Sequence, residues 1–228
     1  MPKIQTYDDM EVSLVRSTQS PAQLVKAACD LTQTKEFHLG NTATGPLIKF
    51  LIKAGHGSVL EHCSLTFVIT GMSRSFLAQI TRHRIGSFTS SSQHYADHSD
   101  MPMVLHPDWD QDGDIAEAYT EAIRFAVKSY EKLIQYGVPI YEARQVLPNA
   151  CAVNLLWTVN TRSLINFMQQ RLCKRNVTEA VTAATKVRLE VYKWWPELAD
   201  LMGPPCYPTG KCNQGKMSCG DPYDPKLG

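Results

Sequence analysis

Between Glu61 and Thr70 the chain alternates: Cys63, Leu65, Phe67 and Ile69 are set against His62, Ser64 and Thr66. A two-residue period turns one side of a strand to a core and the other to water, so this segment reads as a strand. Val12 and Leu14 against Glu11 and Ser13 predict a strand in EVSLVRS, and VNLLWTV (153–159) reads as a third. Elsewhere the period lengthens to that of a helix. Ser20-Pro21 has the form of an N-cap and a first helical residue, with Leu24, Val25, Ala28 and Leu31 as the apolar stripe. A second helix follows Gly45-Pro46 and ends near Gly55, and a short one spans Ser73 to Thr81. From Asp114 a long helix carries Ile115, Tyr119, Ala122, Ala126, Tyr130 and Leu133 at helical spacing, with Gly137 as its stop. A shorter helix around Tyr141–Gln145 presents Arg144. Asn160 starts another, with Leu164, Phe167 and Arg171 in register, and a last helix runs roughly from Thr178 to Trp195.

Strands interrupted by helices, without regular βαβ alternation, predict an α+β fold. It is expected as a single domain with a small mixed or antiparallel sheet flanked by several helices. That domain is read over residues 1–200 and a Cys-rich tail over 201–228. A chain of 228 residues suffices for a proper core. The 23 basic and 22 acidic side chains nearly cancel, which argues against generic capture of nucleic acid. No apolar run reaches the length of a membrane span, and the first twenty residues lack the apolar core of a signal peptide. The expectation is a cytoplasmic protein with no membrane partner. Seven cysteines, an odd number, are then thiols or metal ligands. Cys206, Cys212 and Cys219, with Cys173, make four thiols, but intervals of five and six residues are not the tight pairs of a zinc ribbon. Free thiols are expected, and no metal ligand is assigned. His56, His62 and His98 are scattered and read as structural or cofactor-edge histidines.

The densest chemistry lies in TRHRIGSFTSSSQHYADHSD, where Arg82, His83 and Arg84 precede a run of hydroxyls. Three readings stand open: a solvated helix end, a phosphate or oxyanion site, and a nucleic-acid contact, against which the balanced charge speaks. Further arginines favour the second. Arg144 in YEARQVLPN, Arg162 in NTRSLINF and Arg171 in NFMQQRLC sit among apolar residues, where a guanidinium is costly unless an anion meets it. Together with Gln79, Asn160 and Asn166 they point to a polyanionic ligand with polar ring edges, and a nucleotide fits. No P-loop, dinucleotide-type glycine fingerprint or zinc-protease helix is present.

RHRIGSFTSSS, with seven residues between Arg84 and Ser92, resembles the diagnostic motif of the flavin-dependent thymidylate synthases. GHGSVLEHCSLTF, ARQVLP and WTVNTRSLINFMQQR are similar to that family's other blocks, in order, over roughly Gly55 to Pro196. The resemblance implies a homotetramer with active sites at subunit interfaces, each holding FAD and a pyrimidine nucleoside monophosphate. NADPH and methylenetetrahydrofolate are the implied co-substrates. It implies FAD binding by Ser58, Arg82, His83, Arg84, Asn160, Arg162 and Asn166. It implies nucleotide binding by Gln79, Arg82, Ser92, Gln93, His94, Arg144 and Arg171, with Arg171 catalytic. The implied reaction is reductive C5-methylation of dUMP to dTMP without a cysteine nucleophile. Thr89, Ser90 and His94 stand where the family commonly carries asparagine, glutamate and arginine. CKRNVTEAV keeps only Glu179 of the family's alanine-glutamine-tryptophan-glutamate. These departures leave open another pyrimidine nucleotide (UMP or dCMP) or a different one-carbon group. The non-enzyme alternative is a nucleotide- or RNA-binding module whose arginines serve only phosphates.

Overall fold

The computed structural model describes residues 3–33, 37–95 and 101–223. In chain order its elements are β1 (Ile4–Thr6), β2 (Glu11–Ser17), α1 (Pro21–Leu31), α2 (Gly45–Lys53), β3 (Ser64–Ser73), α3 (Arg74–Ile80), β4 (Ser87–Ser90) and β5 (Met103–Leu105). They continue as α4 (Pro107–Asp110), α5 (Gly113–Gln135), α6 (Ile140–Ala143), β6 (Ala152–Asn160), α7 (Thr161–Arg171), α8 (Thr178–Trp194) and α9 (Pro196–Ala199). Short 3-10 turns at Gly57–His62 and Arg144–Val146 join them. The fold is α+β. A four-stranded sheet has the order β2-β3-β6-β4, and β1 pairs with β5 in parallel, Ile4 opposite Met103. Among the described residues no helix is long and apolar enough to cross a membrane.

The chain forms two compact units, each assembled from three stretches. The first comprises Met1–Glu11, Val68–Arg82 and Phe88–Leu156. Its small core gathers Met103, Ile123, Val127 and Cys151, with Tyr119 packed against it. Tyr119 also donates its hydroxyl to the Val104 carbonyl at 2.7 Å, which ties α5 to β5. At the end of α5 Gly137 takes φ 83°. The Gly137 and Val138 amides then close back on the Ile134 and Leu133 carbonyls, satisfying the last turn.

The second unit comprises Val12–Phe67, His83–Ser87 and Trp157–Gly228. Here the Thr66 and Thr158 hydroxyls meet at 2.9 Å, while Thr161 donates from its amide to the Cys63 carbonyl. One strand's numbers rise as the other's fall, so β3 and β6 are antiparallel. Phe67, Trp157 and Phe167 are all fully buried and pack in series as tilted rings, with centroids 5.7 and 4.9 Å apart. Ala180, Ala183, Ala184, Val187 and Val191 form the buried stripe of α8. Small side chains on that stripe let α8 lie close to its neighbours.

The alternation in β3 holds residue for residue, since Cys63, Leu65, Phe67 and Ile69 are buried. Two expected stripes are corrected. Leu31 is 51% exposed, and α1 buries the expected Val25 together with Ala27, while Leu24 and Ala28 are half-buried. In α5 the buried side chains are Ile123, Val127 and Tyr130, whereas Ile115 and Ala122 face out. Ser20 stands at the N-terminus of α1 as expected, but in a left-handed conformation (φ 49°) that makes no side-chain cap.

The tail beyond α9 packs through Tyr207. Arg188 donates to the Tyr207 hydroxyl at 3.1 Å and to the Ala199 carbonyl at 3.0 Å. A Cβ on Gly203 would fall 2.4 Å from Tyr207 Cγ and 2.6 Å from its Cβ, the stiff base of the side chain. Gly203→Ala is therefore expected to destabilise the protein by about 1–3 kcal/mol through overpacking. Urea unfolding reads this directly, and an unchanged midpoint would mean that Tyr207 is not seated there.

Candidate functional site

Seven of the expected site residues lie in the second unit, on α7 or on segments that touch it. Asn160 precedes the helix and accepts the Ser163 amide on its side-chain oxygen at 2.8 Å, capping the first turn. Thr161 is buried and gives both its amide (2.8 Å) and its hydroxyl (3.1 Å) to the Cys63 carbonyl. Arg162 points outward and bonds Glu61 Oε1 at 2.6 Å. A Cβ on Gly57 would sit 3.0 Å from Cδ and Nε of Arg162, so glycine is what admits the arginine stem beside the Gly57–His62 turn. Ser58 follows in the same turn, exposed. Asn166 is exposed one turn further along α7 and accepts from Gln170 at 3.0 Å.

Arg171 ends the helix half-buried. Its Nε donates to His83 Nε2 at 3.1 Å. His83 rests edge-on against Phe167, with centroids 5.1 Å apart and planes at 71°. Arginine Nε always carries a proton, so His83 Nε2 must present its lone pair and the ring proton sits on Nδ1. Burial pushes the imidazole down to about 4, and the Arg171 charge pushes the same way. The Arg-His-Arg cluster thus has a neutral centre, with exposed Arg82 and Arg84 on either side in sequence.

The remaining expected residues lie in the first unit. Gln79 is half-buried in α3, and Arg82 follows that helix. The Ser92 hydroxyl accepts the His94 amide at 3.1 Å. The His94 ring stacks on Tyr141, at 4.9 Å and 29°, and meets Tyr95 edge-on at 4.6 Å. Arg144, half-buried, opens the 3-10 turn directly after the helix that carries Tyr141. Gln93 is turned inward, 5% exposed. It lies beside the Cys151 thiol, which burial raises and which Gln93 and Arg74 partly draw back.

Sequence reasoning did not single out Glu61, Gly57 or Tyr141. Glu61 and Gly57 lie inside a quoted motif block, but their partner Arg162 is about a hundred residues away, and nothing local marks Tyr141 as the platform for His94. The hydroxyl run also contains a strand, β4, where a loop would be the ordinary reading. Among the described residues no three His, Cys, Asp or Glu side chains gather closely enough to hold a metal ion. His98 lies outside the described residues.

A family profile described as "Thymidylate synthase complementing protein" matches residues 13–197. The flavin-dependent thymidylate synthase of Clostridium tetani is 32% identical, over 92% of this chain and 93% of that one. That of Geobacter sulfurreducens is 33% identical, over 92% and 94%. A solved structure of the UMP/dUMP methylase PolB from Streptomyces cacaoi, bound with 5-Br dUMP, superposes with a TM-score of 0.73 at 22% identity. It covers 87% of this chain and 95% of its own, a likeness of fold.

The depressed His83 pKa has a consequence for stability. The folded ring titrates at about 4 and an ordinary unfolded histidine at 6.5, so between these values the unfolded chain binds more protons. The contribution is complete above pH 6.5 and is lost as pH falls toward 4. The melting temperature of the wild-type protein should therefore drop more between pH 7 and pH 5 than that of His83→Gln. Parallel decreases in the two proteins would show that His83 is not held neutral by the fold.

Proposed function

The chain belongs to the flavin-dependent thymidylate synthase family and is a flavin-dependent methyltransferase, and from that premise we propose that it converts dUMP to dTMP. The proposed cofactor is FAD, with NADPH and methylenetetrahydrofolate as co-substrates. The observation that carries this reading is the placing of two arginines, two amides and a neutral imidazole on α7 and its flanking turns: Arg162, Arg171, Asn160, Asn166 and His83.

That donor set fits FAD. Arg84 would supply positive charge for a pyrophosphate, as would Arg162 on turning from Glu61, Ser58, Asn160 and Asn166 would supply hydrogen bonds, and the bare Gly57 backbone admits the Arg162 stem. When bound, FAD carries reducing equivalents from NADPH to the one-carbon unit transferred from the folate. The protein's own part is orientation and electrostatics. Arg171 keeps its charge at every working pH and stabilises negative charge as it develops on the pyrimidine. Arg82, Ser92, His94 and Arg144 hold the nucleotide and its phosphate, with Gln79 and the backbone at Gln93. Cys63 and Cys151 are no nucleophiles, because burial raises both thiols, Cys63 to about 11.

A homotetramer with active sites at subunit interfaces completes the proposal. Support comes from large apolar side chains left in solvent on α5 and α8, among them Phe125, 76% exposed, with Leu189 and Tyr192. The second reading keeps the flavin chemistry and changes the substrate to UMP or dCMP, or the one-carbon group, and it rests on Thr89, Ser90 and His94 departing from the family's residues in the nucleotide segment.

Purified protein supplied with FAD, NADPH and methylenetetrahydrofolate should methylate dUMP in preference to UMP and dCMP, with products identified by mass. A colourless protein that turns over none of the three would end the proposal. Arg171→Lys keeps a cation but loses the planar fork, so kcat should fall about 10²–10³-fold while flavin absorbance is retained. His94→Arg should tighten dUMP binding by roughly tenfold, the scale of one charge-assisted hydrogen bond. Calorimetry reads that change, and equal dissociation constants would remove His94 from the phosphate.

A further inference from the structure

Arg171 is the last residue of α7, where the backbone ladder runs out and a four-torsion side chain has most freedom. A guanidinium is planar, so one hydrogen bond at Nε sets the direction of both terminal nitrogens at once. In this chain the acceptor at Nε is His83 Nε2, 3.1 Å away. The acceptor is itself held, because its ring lies edge-on against Phe167, four residues before Arg171 and on the same helical face. Phe167, His83 and Arg171 therefore form a closed arrangement in which one helix supplies both the support and the group supported.

The chemistry of the acceptor matters as much as its place. A carboxylate at this position would orient Arg171 equally well but would cancel its positive charge, and with it most of the field offered to a ligand. A neutral imidazole orients the guanidinium without itself adding a countercharge. We propose that His83 is a positioning residue for Arg171, which its neutral ring aims through Nε at the site of developing negative charge. The role rests on the reading of Arg171 as the group that meets the pyrimidine, and it is separate from any contact His83 makes with the flavin.

The test is a double-mutant cycle on FAD-saturated protein, with flavin occupancy checked by absorbance. His83→Ala should lower kcat on the order of 10²-fold, the scale of a slightly misplaced group, with a much smaller change in KM. His83→Gln, which keeps an acceptor, should regain most of that loss. In an Arg171→Lys background, which has no Nε to aim, His83→Ala should cost little more. A readout independent of turnover is the Arg171 Nε–H nitrogen-15 resonance. It should be distinct and slow to exchange in wild type and His83→Gln, and lost in His83→Ala. Losses that multiply across the cycle, or an unchanged resonance in His83→Ala, overturn the role of His83 while leaving the enzyme assignment standing. Wild-type protein that binds FAD but neither binds nor methylates dUMP overturns the reading of Arg171, and the positioning role with it.

Discussion

The carbonyl of Cys63 carries an unusual share of the architecture. It takes two hydrogen bonds from Thr161, one from the amide and one from the hydroxyl, at a buried junction where a lost partner would be costly. The pair decides where β6 stops and where α7 begins. With that origin set, Arg162 falls in the first turn and Arg171 in the last, and nine residues of helix place them about 14 Å apart along the axis. Such a span suits the two ends of an extended ligand better than a single small anion. Asn160 and the Gly57–His62 turn inherit their positions from the same junction.

Electrostatics in the second unit are arranged by local compensation. Arg162 leans on Glu61, and Lys174 pairs with Asp221 in the tail. Both pairs are largely solvated, so their contribution to stability is small. What they provide is direction, since each restricts a long side chain to one side of its element. Lys174 also lies over the Tyr223 ring, and Tyr223 meets Tyr207 edge-on. In this way the tail that the family profile does not reach is attached to the loop just past Arg171. The Cys212 thiol in that tail is drawn down by the Ser218 hydroxyl and the Gln214 backbone, with Arg175 adding a further pull.

Much of the fold could be read from local pattern. β3, β6 and the helices after Asn160 and Gly113 were visible because one face of each is in a core and the other in water. The error in α5 has a plain cause. Ile115, Ala122 and Ala126 compete with Ile123 and Val127 for the stripe that Tyr119 and Tyr130 share, and both sets have helical spacing. Only the partners on β5 and around Cys151 decide between them, and partners are not written in the helix itself. β4 was hidden for the opposite reason. A run of serine and threonine reads as a loop, yet here Ser91 bonds Asn154 across to β6. The site was legible as a set of residue types, through the motif and through arginines in apolar settings. Its geometry was not, because the decisive contacts, Arg171 with His83 and Arg162 with Glu61, span 88 and 101 residues.

The interleaving of the two units bears on how the chain is made. β3 needs β6 beside it, yet Thr66 and Thr158 are 92 residues apart, and Cys63 and Thr161 are 98. Translation at about 5–20 residues per second puts roughly 5–20 seconds between the emergence of the two strands. Throughout that interval Leu65, Phe67 and Ile69 have no β6 to cover them, and the strand edge meant for β6 is open to other chains. Neither unit can finish while the ribosome is still working on the first half of the message. Slow codons read after β3 has emerged and before β6 has would lengthen the exposure, and slow codons read ahead of β3 would not.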